Sequence, residues 1–88
     1  MEKDLLIEVV ELTTGADIKW NLLYYVKVLA DGKAYGMKIE RQGHDGILSE
    51  STGGLTRSYE QDVDWIRLLA RGKVTPWTLH AVVDDLVG

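Results

Sequence analysis

The dipeptide Asp31-Gly32 lies between two runs of alternating hydrophobicity, Trp20 to Ala30 and Ala34 to Gln42. Asp-Gly flanked by alternating apolar residues is a strong hairpin signal, because both turn positions call for a positive φ. With a two-residue loop, Ala30 pairs with Lys33, and the ladder runs Val28–Tyr35, Val26–Met37, Tyr24–Ile39. Every one of those pairs is apolar on apolar. A loop longer by one residue would set Val26 against a polar or glycine position and flip one strand's faces. The opposite side of the same hairpin carries Leu23, Tyr25 and Leu29, more apolar surface than a solvated face requires.

At 88 residues the chain suffices for one small domain, 1–88, that buries roughly 60–65% of its unfolded surface. It holds no cysteine, so neither a disulfide nor a thiolate metal site can support a small core. A content of 45% hydrophobic and 27% charged residues is that of ordinary globular proteins. Ten basic residues against fourteen acidic ones leave a net charge of −4, which argues against nucleic acid as a partner. No apolar stretch approaches the ~20 residues of a membrane span, and the start lacks the pattern of a signal peptide. A cytoplasmic setting, away from membranes, is the expectation.

Residues 4–12 read as a first strand, with Leu5, Ile7 and Val9 on one face and Leu6, Glu8, Val10 and Leu12 on the other. The cluster Thr13-Thr14-Gly15-Ala16-Asp17 is a turn leading to the strands over 20–30 and 34–42. A short fourth strand fits 47–50, and Ser51-Thr52-Gly53-Gly54 reads as a flexible link.

Beyond that link the hydrophobic period changes from two to about 3.6, which predicts helices over 59–71 and 76–87. Ser58 with Gln61 three residues on resembles a capping box. Glu60, Asp62 and Asp64 lie near the first helix's start and Arg67, Arg71 and Lys73 near its end, as the helix dipole favours. Tyr59, Val63, Ile66, Leu69 and Ala70 form its apolar stripe, widened by Trp65 and Leu68, and Gly72 is placed as a left-handed cap. Thr75 and Pro76 open the second helix, with Val74 and Leu79 spaced as a hydrophobic staple. The expected architecture is α+β: a three- to four-stranded antiparallel meander with a C-terminal two-helix hairpin on the face of Tyr24, Val26, Val28, Met37 and Ile39.

The segments Tyr35-Gly36-Met37-Lys38-Ile39, Val63 to Leu69, and Val74-Thr75-Pro76-Trp77-Thr78-Leu79-His80-Ala81-Val82-Val83-Asp84-Asp85-Leu86 carry a resemblance. Over roughly residues 22–87 the chain resembles a small family of anaerobic Gram-positive bacteria, domain of unknown function 6514. The resemblance implies a bacterial, intracellular setting. It transfers no catalytic residue, because no activity is established for the family.

Chemistry-bearing residues are sparse. His44 and His80 are the two histidines, and His44-Asp45 has the make-up of a glycine-flanked loop tip. His80 and Asp84 are four apart on one helix face, a spacing that can present two metal ligands, but a closed zinc site needs about four. Gly53-Gly54 precedes a helix without any phosphate-loop lysine, and Glu60 and Asp62 would repel phosphate there. No cofactor, metal or small-molecule substrate is implied, and an enzyme is not expected.

Binding is the remaining theme. If the chain owns one helix pair, nothing within it covers the other sheet face, with Leu6, Val10, Leu23, Tyr25, Leu29 and Ala34. Exposed apolar patches of several hundred Å² mark interaction surfaces. The plainer reading is that Lys27, Lys38 and Glu40 soften this face and keep it wet. Trp77, His80 and Asp84 form a second candidate surface, although a first-turn tryptophan also folds back over an interhelix link. Asp84-Asp85 stands against the helix dipole unless Lys38, Arg41 or a basic partner compensates it. The leading expectation is a protein–protein interaction module that forms a homodimer through the open face. The alternatives are an inhibitor of a host protein, encoded by a mobile element and acting through its acidic surface, and metal-dependent activity at His80/Asp84.

Overall fold

In the structure, a computed structural model describing residues 3–13, 15 and 18–87, four strands are followed by two helices. Strands β1 (Lys3–Thr13), β2 (Lys19–Leu29), β3 (Ala34–Gly43) and β4 (Gly46–Ser51) form an antiparallel sheet in the order β1-β2-β3-β4. Helix α1 (Tyr59–Arg71) is followed by a 3₁₀ turn, Pro76–Thr78, that runs into α2 (Leu79–Val87). The fold class is the α+β meander anticipated from periodicity. Much of the Thr13–Asp17 turn lies outside the described residues.

Val28 stands opposite Tyr35, Val26 opposite Met37 and Tyr24 opposite Ile39, the ladder that apolar matching demands. The turn itself differs. The ladder ends at Leu29–Ala34, and Ala30, Asp31 and Gly32 all take positive φ (52°, 55° and 88°) in a left-handed turn closed by Lys33 N–H on the Ala30 carbonyl at 3.2 Å. A loop of four residues keeps the parity of a loop of two, so every face stays where it was expected.

Leu22, Tyr24, Val26, Met37 and Ile39 are buried beneath Ile66, Leu69 and Ala70 of α1 and Leu79 and Val83 of α2. The Tyr24 hydroxyl donates to the Val74 carbonyl at 2.8 Å, and burial pushes its pKa up to about 12. At α1's start, Ser58 Oγ accepts the Gln61 N–H. The reciprocal half of the capping box is relayed: Ser58 N–H donates to Thr56 Oγ1, and that hydroxyl donates to Gln61 Oε1. The helix ends with Val74 N–H on the Leu69 carbonyl and Lys73 N–H on Ala70, the two bonds of a Schellman motif. Lys73, at φ 53°, holds the left-handed position expected of Gly72, whose φ is −84°. Thr75 precedes Pro76 as expected, but its hydroxyl meets the Thr78 hydroxyl at 3.1 Å rather than capping an amide.

The packing of α1 and the link after β4 depart from expectation. On α1, Ile66, Leu69 and Ala70 are buried and Val63 and Trp65 pack partly buried against the core, as expected, but Asp62 joins the buried set and Tyr59 and Leu68 are exposed. The link after β4 is held rather than free. Thr52 N–H donates to the Met37 carbonyl at 2.9 Å, Met37 N–H to Thr52 Oγ1 at 3.0 Å, and Leu55 N–H to the Tyr35 carbonyl at 2.9 Å. Gly36 makes this approach possible, since a Cβ there would collide with the Gly53 carbonyl and lie 2.9 Å from Thr52 Oγ1.

Candidate interaction surfaces

The molecule is only 17 Å through its thinnest axis, the depth of one sheet and one helix layer. Strand alternation assigns the reverse face to Leu23, Tyr25, Lys27 and Leu29 of β2, to Ala34, Lys38, Glu40 and Gln42 of β3, and to Ile47 and Ser49 of β4.

On β1 a bulge changes the assignment. Leu6 faces Tyr25, but the register then slips, so Glu8 faces Tyr24, Val9 faces Leu23 and Val10 faces Leu22. Ile7 is the extra residue, and a bulge of this kind reverses the alternation beyond it. Val10, expected on the open face, therefore packs against the core on the helix side, and Val9 takes its place. Leu6 and Val9 are 51% and 55% exposed, whereas Leu23, Tyr25 and Leu29 are half-buried by neighbours on the same face.

Charges occupy the middle of this face. Lys38 Nζ lies 3.2 Å from Asp4 Oδ2, 3.8 Å from Glu40 Oε2 and 5.3 Å from the Tyr25 ring centroid, while Lys27 Nζ lies 4.0 Å from Asp4 Oδ1. Two cations and two carboxylates cancel. The Tyr25 hydroxyl titrates above its ordinary value, raised first by burial and then by Glu40, with Lys38 opposing.

The second surface is built around tryptophan. Trp20 lies on the helix side of β2, with the buried Arg41 guanidinium 4.6 Å above its ring and Trp77 edge-on at 6.1 Å. Arg41 reaches Asp45 at 3.2 Å, and the Asp45 carboxyl is held below the usual carboxylate range, chiefly by its own backbone amide and also by Arg41. Gly43 leaves room for the indole, since a Cβ there would come within 2.9 Å of Trp20 Cδ1. Trp77 remains 59% exposed. His80 Nε2 lies 3.4 Å from Glu50 Oε1 of β4 rather than turning to Asp84, and among the described residues no three His, Cys, Asp or Glu side chains gather as a metal site. Lys38 and Arg41 are engaged with Asp4, Glu40 and Asp45, not with Asp84-Asp85.

Asp62 is the residue that sequence reading placed wrongly. Counted as a favourable first-turn acid, it is fully buried, and neither carboxylate oxygen has a hydrogen-bond partner among the described residues. Burial pushes its pKa up to about 7. The signal was present: Asp62 precedes Ile66, Leu69 and Ala70 by four, seven and eight positions, the period of a buried helix stripe.

Among the described residues no helix is long and apolar enough to cross a membrane. The model of a family of unknown function matches residues 3–88, reaching into the N-terminal strand. No curated protein and no solved structure matches the chain.

Proposed function

The chain belongs to the family of unknown function DUF6514, and we propose that it is a non-catalytic interaction module that self-associates through the reverse face of its sheet. The observation that carries this reading is the bare row of Leu6 and Val9 beside Leu23 and Tyr25, on a face that no helix of the described residues covers. The occupant is a second copy. Each chain carries a net charge of −4, which opposes approach in general, but on this face Asp4 and Glu40 cancel Lys27 and Lys38. Two such faces meet as an isologous pair about a twofold axis. The non-catalytic part of the reading rests on a sequence without cysteine and with two histidines, which supplies few nucleophile–base combinations. The bacterial, cytoplasmic setting rests on the family resemblance.

Sedimentation across a range of concentrations tests the dimer. A monomer–dimer equilibrium is expected that Val9→Lys and Leu23→Lys shift to monomer, with the circular dichroism unchanged. A chain that stays monomeric at high concentration would overturn the proposal. A regulator acting on another protein through its acidic surface is the second reading, supported by Asp84-Asp85 at the end of α2 with no basic residue in that helix's last turn.

A further inference from the structure

Beyond the reverse face, we infer that the outer edge of β4 accepts an extended, basic segment of another protein as an added strand. The hydrogen-bond alternation of an antiparallel ladder decides which backbone groups are on offer. Thr52 N–H bonds to the Met37 carbonyl, so in the same register Glu50, Leu48 and Gly46 turn their amides and carbonyls toward β3. Ile47, Ser49 and Ser51 turn theirs outward, where no further strand of the described residues lies.

The two sheet edges are treated differently. β1 is broken by its bulge and carries Lys3, Asp4, Glu8 and Glu11, the devices that keep an edge from pairing with strangers. β4, Gly-Ile-Leu-Ser-Glu-Ser, has a regular register, no proline, no lysine and one charge. Its apolar side chains are bare on both faces: Ile47 is 66% exposed on the reverse side and Leu48 51% exposed on the helix side. The Pro76–Thr78 turn packs beside β4 and brings the exposed Trp77 to the helix side.

Charge selects the occupant. Glu50, on the helix face of β4, keeps a side chain 48% exposed although His80 Nε2 lies 3.4 Å from it, while Asp45, just before the strand, is paired with Arg41, itself buried against Trp20. A second copy pairing antiparallel about Leu48 would set its Glu50 opposite Gly46, beside Asp45, placing like charges together. A partner strand with an apolar residue opposite Leu48 and a lysine or arginine two positions along, opposite Glu50, satisfies both. This is strand addition, in which backbone bonds supply affinity and alternate side chains supply selectivity.

The probe is a short fluorescent peptide with threonine at every second position and valine and lysine taking turns between. Fluorescence anisotropy is expected to show saturable binding that quenches or shifts tryptophan emission, and binding should weaken when glutamate replaces lysine in the peptide. Ser49→Pro removes an outward amide without touching a bond to β3, so it should weaken binding about tenfold, the worth of one lost backbone hydrogen bond. Glu50→Lys should weaken it as well. If Ser49→Pro disturbs the melting curve, a peptide N-methylated at alternate backbone nitrogens takes its place against the unaltered protein. Absence of binding, or equal binding by the N-methylated or glutamate peptide, overturns the inference. So does an equilibrium dimer of the protein alone that Ser49→Pro abolishes, since the edge would then belong to a second copy. Leu23→Lys separates the two surfaces: it should remove the reverse-face dimer and leave peptide binding intact.

Discussion

Asp62 sets the pH response of the molecule. Its carboxyl ordinarily titrates near 3.8, and burial in the α1 stripe moves it to about 7. The folded state therefore holds the proton more tightly than the unfolded chain. The stability this contributes is fully present below pH ~4 and is lost as pH rises toward and through about 7. At about 1.4 kcal/mol per unit, the loss is on the order of 4 kcal/mol, a large part of what a domain of this size possesses. Urea melts at pH 5 and pH 8 should show the unsubstituted protein markedly weaker at the higher pH. Asp62→Asn, which cannot ionise, should flatten that difference and be the more stable protein at pH 8. Equal stability at both pH values would show that the carboxyl is hydrated in solution. Tyr24 makes the opposite use of burial: its ring fills the core while its hydroxyl reaches the Val74 carbonyl.

Two turns hold their strain in residues other than glycine. Ala30 and Lys73 have φ of 52° and 53°, where a Cβ crowds the following carbonyl at a cost of about 1–2 kcal/mol each. The β2–β3 turn has Gly32 two positions too late to relieve Ala30, and the α1 end has Gly72 one position too early to relieve Lys73. Ala30→Gly and Lys73→Gly should each raise stability by about 0.5–1 kcal/mol, roughly 3–6 °C in melting temperature for a chain this short. The sites share no contact, so the double variant should sum the two gains. A fall in melting temperature for either variant would contradict the left-handed assignment at that turn. The glycines at Gly36 and Gly43 serve a different need, the close approach of Gly53 and Trp20.

At the scale of the whole molecule, one helix layer on one sheet leaves two unlike surfaces. The reverse face is apolar at Leu6 and Val9 and charge-balanced at Asp4, Lys27, Lys38 and Glu40. The β4 edge is apolar at Ile47 and Leu48 and acidic at Glu50, with Asp45 just before it paired to Arg41. Salt should tell them apart, because screening acts on unlike charges facing one another across a gap. Raising salt from about 0.05 to 0.5 M is expected to leave self-association unchanged or strengthened, and to weaken binding of the basic peptide several-fold. A dimer that dissociates in salt would place its contact on the charged rim instead.

Sequence alone determined the β2–β3 register and the buried set of Tyr24, Val26, Met37 and Ile39, because alternation is a local property and a loop of four residues preserves the parity of a loop of two. It also determined α1 with its boundaries, which follow from the period and from Ser58, and the presence of a second helix after Pro76, although residues 76–78 form a 3₁₀ turn and α2 proper begins at Leu79. Three matters were left to tertiary structure. The bulge at Ile7 exchanges Val10 for Val9 on the open face, since β1 must curve to follow β2, and a run apolar on both sides leaves its own facing undecided. The seating of α1 buries Asp62 beside the expected Ile66, Leu69 and Ala70 and bares Tyr59, since packing of a helix on a sheet averages over the whole stripe and tolerates one poor member. The Gly53–Gly54 link is fastened to β3 by backbone bonds from Thr52 and Leu55, partners many positions away that no local pattern announces.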